Sequence, residues 1–266
     1  MIKTFFSSLR IIFYLFILVL VYVFYLSRDL PSLERLETFD PAMLSTLYDR
    51  NGEVIGEFYI QKRVFVDIED MPNHLKNAAI ASEDKRFYSH WGVDLQSFFR
   101  AVVVNVSSMS FRQGFSTLSQ QLARNLYKEV GFKDSITRKL KEMITAIQIE
   151  RTYTKDEILE MYLNTVHFGH GTYGAESAAK RFFNKNASDL TIGESAMLIG
   201  LLPSPANYSP LRNLNKAIGR RSIVLKLMYN QDFISYQEYM EHNSIVPDNI
   251  YYEIPKGKAP YFAEHV

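Results

Sequence analysis

The N-terminal apolar run is the feature that most restricts how this chain can fold. Residues 11–26 read IIFYLFILVLVYVFYL and carry no charge. The run is shorter than the roughly 20 residues of an average membrane span. Apolar residues before it extend it, because Arg10 can place its charge among the headgroups. A cleaved signal peptide is the alternative, but no small-residue cleavage site follows, so the run predicts an uncleaved transmembrane signal anchor.

The charges beside this run predict its orientation. Lys3 and Arg10 precede it, whereas Arg28 and Asp29 nearly cancel after it. Positive charge is enriched on the cytoplasmic side of membrane spans. We therefore expect residues 1–10 to form a cytoplasmic tail. The chain that follows the anchor is expected on the extracytoplasmic side of the membrane.

The remaining sequence predicts a mainly α-helical domain with one short β-hairpin region. Residues 27–44 are charged and contain proline, as is typical of a juxtamembrane linker. Asn51 and Gly52 form a strong hairpin-turn signal between two apolar runs, with residues 64–66 as a candidate third strand. From Pro72 onward, apolar residues recur mostly at helical spacing. Capping-box pairs predict two helix starts, at Thr154 with Glu157 and at Thr191 with Glu194.

Composition excludes several classes of function. The chain has 266 residues, of which 47% are hydrophobic, enough for one sizeable core once the membrane segment is removed. Its formal net charge of +1 gives no polyanion-binding signal, so no nucleic-acid partner is predicted. There is no cysteine, which excludes disulfides and thiolate metal sites. His167 and His170 are three positions apart without an evident third ligand, so no metal site is predicted there.

Two adjacent acids follow the first helix of the predicted domain. They are Glu83 and Asp84, in the segment ASEDKRFYSHWG at residues 81–92. A carboxylate at a helix end under aromatic cover suits acid–base catalysis. An exposed surface turn is the alternative, since charged residues are mostly solvated. Ser82 also begins an S-x-x-K pattern, but the K-T-G and S-D-N partners are missing, so acylation by a β-lactam is not expected.

Four later segments carry polar residues on predicted helices. They are GFSTLSQQLARN at 114–125, RKLKEMITAIQIE at 138–150, KDEILEMYLN at 155–164 and RRSIVLKLM at 220–228. In the second of them, Arg138 lies four residues before Glu142, and Lys139 lies three before it. That spacing alone predicts an ordinary ion pair on a solvated helix face.

In this order, the five segments resemble the glycosyltransferase domain of peptidoglycan polymerases, glycosyltransferase family 51. That family includes class A penicillin-binding proteins and monofunctional transglycosylases. The resemblance implies a lysozyme-like helical domain with a small membrane-proximal lobe, over residues 45–245. Residues 246–266 resemble the start of a linker to a transpeptidase domain, so the chain is predicted to be an N-terminal fragment of a longer protein.

The resemblance implies a definite reaction. Lipid II would be polymerised into β-1,4 glycan strands with inversion and release of undecaprenyl diphosphate, during bacterial cell-wall synthesis. The enzyme would be a single-pass protein of the bacterial cytoplasmic (inner) membrane with an extracytoplasmic catalytic domain. Its partners would be lipid II, the growing glycan chain, membrane lipid and other cell-wall synthesis proteins. No cofactor would be required, although a divalent cation, Mg or Mn, at the diphosphate stays open.

The resemblance also assigns roles to individual residues. Glu83 matches the general base, and Glu142 is the second catalytic glutamate, which would orient nearby cations or a divalent ion. The residues expected to bind substrate or to hold the base are Asp84, Phe87, His90, Ser116, Thr117, Gln121, Arg124, Arg138 and Lys139. Two positions depart from the family: Phe115 replaces a small residue and Arg124 replaces a common lysine. These departures bear on donor affinity more than on reaction type.

Two other readings of the sequence stay open. A lysozyme-like, glycan-cleaving lytic enzyme would also use one glutamate, but the cationic helix around Arg138 and the predicted anchor argue against it. A non-catalytic, membrane-anchored scaffold would keep the fold and lose the chemistry. The presence of both Glu83 and Glu142 argues against a scaffold.

Overall fold

The computed structural model describes residues 45–48, 50–51, 54–58, 64–108, 116–128, 136–247 and 250–251, with scattered positions between 10 and 30. The described positions from 10 to 27 have helical backbone. No helix formed by the described residues is long and apolar enough to span a bilayer. Parts of the predicted anchor, and most of the predicted linkers at 27–44 and 246–266, lie outside the described residues. These segments stay predictions.

The described β-structure consists of two small antiparallel pairs. Strand β1 (Ser45–Tyr48) pairs with β2 (Val54–Phe58) around the predicted turn, which confirms the hairpin. Strand β3 (His167–Gly169) pairs with β4 (Thr172–Tyr173), a hairpin that sequence patterning did not predict. The prediction of a third strand at 64–66 is wrong, because these residues form no strand. The side-chain amide of Asn164 bonds both the N–H and the carbonyl of Val66, at 3.0 and 2.8 Å, and so occupies this backbone in place of a neighbouring strand.

Helices make up most of the described chain, as predicted. They are α1 (Asn73–Glu83), α2 (Leu95–Ser107), α3 (Leu118–Lys128), α4 (Ile136–Thr152), α5 (Lys155–Thr165), α6 (Ala175–Phe183), α7 (Ile192–Leu201), α8 (Pro205–Tyr208), α9 (Leu214–Tyr229) and α10 (Tyr236–Ser244). Short 3-10 turns lie at Phe87–Ser89 and Ala187–Asp189. Both predicted capping boxes are present, at the starts of α5 and α7.

Helix α7 is the centre of the core. It is apolar on all sides, and residues 193–201 are all buried. A helix with no polar face is stable only where other elements cover it completely. Helices α1 and α9 pack against α7 most extensively, while α3 packs against α4 and α5. The C-terminal end of α1 lies beside α3, where the Asp84 carboxylate accepts the backbone N–H of Leu118.

Gly92, between α1 and α2, lies against the start of α3 and against α4. Its carbonyl accepts a hydrogen bond from the Thr117 hydroxyl at 2.7 Å, just before α3. Its φ is +102°, and a Cβ atom there would lie 2.7 Å from the carbonyl oxygen of Ala146 in α4. Only glycine accommodates both the backbone angle and this close approach without strain.

We expect Gly92→Ala to destabilise the protein by more than the ~1–3 kcal/mol typical of backbone strain alone, because the added methyl also meets the backbone of α4. Urea or thermal unfolding would measure this. Gly171→Ala is the matched control, since Gly171 also has a positive φ, of +69°, but has no atom within 4 Å of a built Cβ. Equal losses in the two variants would mean that the approach to α4 does not matter.

Candidate active site

Glu83 ends helix α1 and is half-buried. Its carboxylate accepts a hydrogen bond from Gln121 Nε2 at 3.0 Å and one from the Ser82 hydroxyl at 3.4 Å. Burial raises the pKa of Glu83, while these two hydrogen bonds and the charge of Arg220 oppose that rise. The result is a carboxylate that is more basic than a free glutamate and is held at a defined position.

Asp84 is buried and serves a different purpose from its neighbour. Its Oδ2 accepts from His90 Nε2 at 2.8 Å and from the backbone N–H of Leu118 at 3.0 Å. His90 Nδ1 accepts the N–H of Gly92 at 3.1 Å, so the ring proton lies on Nε2 and points at Asp84. A carboxylate at the first N–H groups of α3 also complements the helix dipole. Asp84 thus fastens the end of α1 to the start of α3.

Residues of α4 and α5 contact the turn that links Asp84 to His90. Lys155 donates to the carbonyl of His90 at 2.8 Å and pairs with Glu150 at 2.7 Å. The same ammonium lies 4.6 Å from the centre of the Phe87 ring, which is fully buried. The sequence placed Glu150 and Lys155 within family segments but gave neither a role. Their contacts hold the turn that carries Phe87 and His90.

A second group of polar side chains surrounds Glu142. Its side chain is fully buried, and three cations contact it: Arg124 Nε at 3.1 Å, Arg138 Nε at 3.3 Å and Lys139 Nζ at 3.1 Å. We call these four residues the cationic cluster. Their formal charges sum to +2, three positive and one negative. The three cations keep about a quarter to a third of their side-chain surface exposed, 36%, 26% and 26% respectively. The cluster can therefore present net positive charge to a ligand.

The ammonium of Lys139 is the most tightly held of these cations. Besides Glu142 it donates to the Ser116 hydroxyl at 2.8 Å and to the side-chain carbonyl of Gln120 at 3.0 Å. Burial lowers the pKa of Lys139, the charge of Glu142 opposes that change, and Arg124 and Arg138 lower the pKa further. Each contact fixes the ammonium in place before any ligand arrives, which is the condition for electrostatic preorganisation.

Helix α3 connects the two groups. Gln121 contacts Glu83, and three residues further along the same helix Arg124 contacts Glu142. Thr117 lies at the start of this helix, where it is buried, donates to Gly92 and accepts the N–H of Gln120 at 3.2 Å. Among the predicted site residues, the structure thus groups Glu83 with Gln121, and Ser116 with the cationic cluster. Phe115 lies outside the described residues, so that departure from the family is untested.

Tyr162 is a further neighbour of the site; its place among the apolar residues of the 155–164 segment predicts a core position and no role in the site. It is fully buried, as expected, but its hydroxyl donates to Gln121 Oε1 at 3.2 Å. The signal in the sequence was tyrosine, rather than phenylalanine, among apolar core positions, because a buried phenol needs a hydrogen-bond partner.

The described residues do not fit a metal ion held by the protein. They include no group of three or more histidines or acids arranged as metal ligands. At the cationic cluster, Glu142 supplies the carboxylate, and its two oxygens already contact three cations. Mg²⁺ is usually held by one or two carboxylates together with substrate phosphates and water, so a divalent ion bound mainly by the diphosphate stays a prediction.

The family model described as Transglycosylase matches residues 51–229. Because this match covers most of the chain, the protein belongs to the transglycosylase family. Penicillin-binding protein 1A of Neisseria gonorrhoeae is 43% identical over 224 residues, covering 84% of this chain and 27% of that protein. Penicillin-binding protein 1A of Aquifex aeolicus (strain VF5) is 39% identical over 233 residues, covering 88% of this chain and 32% of that protein.

The chain therefore spans only about a third or less of these relatives, 27% and 32%. A crystal structure of penicillin-binding protein 1A from Haemophilus influenzae aligns with a TM-score of 0.48 and 24% sequence identity. That alignment covers 83% of this chain and 23% of the other.

Proposed function

We propose that this chain is a peptidoglycan glycosyltransferase that polymerises lipid II into β-1,4 glycan strands and releases undecaprenyl diphosphate. One observation carries the proposal: helix α3 joins a half-buried, hydrogen-bonded carboxylate, Glu83, to a cluster of formal charge +2. The reaction needs a proton acceptor for the attacking sugar hydroxyl and positive charge for the diphosphate. Membership in the transglycosylase family supports the same assignment.

Glu83 is the general base in this proposal. As the acceptor hydroxyl oxygen attacks the anomeric carbon of the donor, its proton passes to the Glu83 carboxylate. The bond from that carbon to the diphosphate breaks, and inversion follows because no protein nucleophile intervenes. A raised pKa makes Glu83 a stronger base than free glutamate, provided that it is ionised at the working pH.

The cationic cluster stabilises the leaving group. Negative charge accumulates on the diphosphate oxygens as the bond from the anomeric carbon to the diphosphate breaks, and the two guanidinium groups can bind such oxygens through paired N–H donors. Glu142 is fully buried, so its role here is to hold Arg124, Arg138 and Lys139 in place rather than to touch the sugar. Preorganised charge of this kind is usually the largest contribution to catalysis.

We also propose that the domain lies against the outer leaflet of the cytoplasmic membrane, in a two-lobed, lysozyme-like arrangement with its N-terminus inside the cell. Leu95, Phe99 and Val103 are spaced by four along α2 and are 48%, 63% and 66% exposed. Such an apolar stripe suits contact with lipid. The Tyr22 hydroxyl, from the predicted anchor, lies 3.3 Å from the hydroxyl of Thr137, next to Arg138. That contact brings the predicted anchor close to the cationic cluster, which supports binding of a lipid-linked donor by the cluster at the membrane surface.

The test is incubation of the purified chain, in detergent or vesicles, with labelled lipid II, followed by gel analysis of glycan length. We expect a ladder of polymers and free undecaprenyl diphosphate. Shortening of preformed glycan, without polymerisation, would favour the lytic enzyme. Neither activity, in a folded protein, would favour the scaffold.

A further inference from the structure

The phenol of Tyr162 contacts the oxygen of the Gln121 side-chain amide, whose nitrogen contacts Glu83. We infer that Tyr162 is a positioning residue: it holds the side-chain amide of Gln121 in the orientation that stabilises an ionised Glu83. The inference rests on the proposed function only in so far as Glu83 acts as the general base. Among the described hydrogen bonds, Tyr162 is linked to Glu83 through Gln121 and not directly.

The geometry is a chain of two hydrogen bonds. The Tyr162 hydroxyl donates to Gln121 Oε1 at 3.2 Å, and Gln121 Nε2 donates to Glu83 Oε2 at 3.0 Å. A glutamine amide has an acceptor end and a donor end, and a carboxylate can only accept. Rotation of the amide by half a turn would place its oxygen against the Glu83 oxygens. The phenol could accept from Nε2 after such a rotation, but the observed orientation is the one that uses the phenol proton and also gives Glu83 a donor, so the two hydrogen bonds together favour it.

The surroundings keep the phenol a donor. Tyr162 is fully buried in α5, and its burial, together with the charge of Glu83, raises its pKa well above the ordinary value. The phenol therefore stays protonated throughout the neutral range. A protonated phenol can satisfy the Gln121 oxygen, and burial keeps bulk water from taking its place.

Other groups also face Glu83, and they act independently of Gln121. Ser82 donates to the second carboxylate oxygen, Arg220 on α9 lowers the pKa of Glu83 by its charge, and Asp84 raises it. Tyr162 is the partner that the described hydrogen bonds give to Gln121 Oε1. Removal of its hydroxyl should therefore alter the orientation of Gln121 and leave the other three influences in place.

The principal variant is Tyr162→Phe, which keeps the buried ring and removes the hydroxyl. Without the hydroxyl, the Gln121 amide loses part of its preference for the orientation in which Nε2 donates to Glu83. The ionised form of Glu83 is then less stabilised, so the pKa of Glu83 rises. We expect the acid limb of the kcat/KM profile for lipid II polymerisation to move to higher pH by up to about one unit, the upper limit being complete loss of the charge-assisted hydrogen bond from Gln121 to Glu83. Gln121→Met should move it in the same direction by at least as much.

Two features make the test specific. Adding Tyr162→Phe to Gln121→Met should produce no further shift, because the phenol acts only through the amide. Tyr239→Phe is the matched control. It removes a hydroxyl from a tyrosine of α10 whose ring stacks on Tyr229 of α9, and it should leave the profile unchanged. A pH profile is informative here because a general loss of packing would lower the rate without moving the limb.

Titration of the Glu83 carboxyl carbon by NMR, on the full chain labelled with ¹³C-glutamate, supplies a readout that does not need activity. The signal that disappears in Glu83→Gln identifies it. A shift in Tyr162→Phe with none in the control supports the inference, even if the wild-type chain fails to polymerise lipid II and the proposed function falls. An unmoved carboxyl titration in folded Tyr162→Phe, or equal and additive shifts in the double variant, would overturn the inference.

Discussion

Replacement of Glu83 by glutamine is expected to reduce lipid II polymerisation by roughly 10²–10⁴, the usual contribution of a general base. Glutamine keeps the length of the side chain and can still accept a hydrogen bond from Gln121. It cannot take the proton of the acceptor hydroxyl at neutral pH. Initial rates with labelled lipid II, measured at equal amounts of folded protein, give the size of the effect.

The pH dependence provides a second criterion for the same variant. The wild-type rate should fall as pH drops through the pKa of Glu83, because protonation removes the base. Burial raises that pKa, so the fall should occur at higher pH than the ~4.3 of a free glutamate. The residual rate of Glu83→Gln should lack this acid limb. A limb that persists in the variant would assign the titration to another group.

Ligand binding separates chemistry from structure. A phosphoglycolipid inhibitor of the moenomycin type is expected to occupy the donor subsite near Arg124 and Arg138, so Glu83→Gln should still bind it. Glu238→Gln is a matched control, since it makes the same chemical change at a partly exposed capping residue of α10. A wild-type rate in Glu83→Gln would exclude Glu83 as the base. Loss of inhibitor binding together with activity would instead assign Glu83 a structural or binding role.

The helical fold was predictable because its signals are local. Apolar spacing and two capping boxes depend on residues three or four positions apart, and the structure confirms both boxes. The absence of a strand at 64–66 was not predictable, because Asn164, in a helix far along the sequence, bonds the backbone of Val66 through its side-chain amide. Strand propensity reports a fit to a half-buried surface and does not identify the partner.

The candidate site divides in the same way. Spacing alone placed Arg138 and Lys139 beside Glu142, and the structure confirms both contacts. Spacing also favoured a solvated ion pair, whereas Glu142 is fully buried and gains a third cation, Arg124, from α3. The packing of α3 against α4 decides the burial and the net charge, and no local pattern encodes that approach. Local periodicity likewise identified Tyr162 as core and gave no partner for its hydroxyl.

The second large effect is expected at the cationic cluster. Arg138→Ala removes a guanidinium that is available to the diphosphate, and loss of one transition-state donor typically reduces turnover about 10²–10³. Arg138→Lys keeps the charge but loses the planar pair of donors, so its rate should be intermediate. Arg151→Ala is the matched control, because Arg151 is an exposed cation in the last turn of the same helix. Polymerisation by all four proteins, wild type included, is compared at saturating lipid II.

Glu142→Gln should have an effect of similar size for a different reason. The carboxylate touches three cations, and its neutralisation leaves their charges to repel one another, so each can turn towards solvent and lose its position. The cluster then has more positive charge but less order, and preorganisation is what lowers the barrier. We expect Arg138→Ala and Glu142→Gln both to weaken inhibitor binding, the reverse of the result for Glu83→Gln. Full activity in either folded variant would reject the role of the cationic cluster in catalysis, and other residues would then have to stabilise the diphosphate.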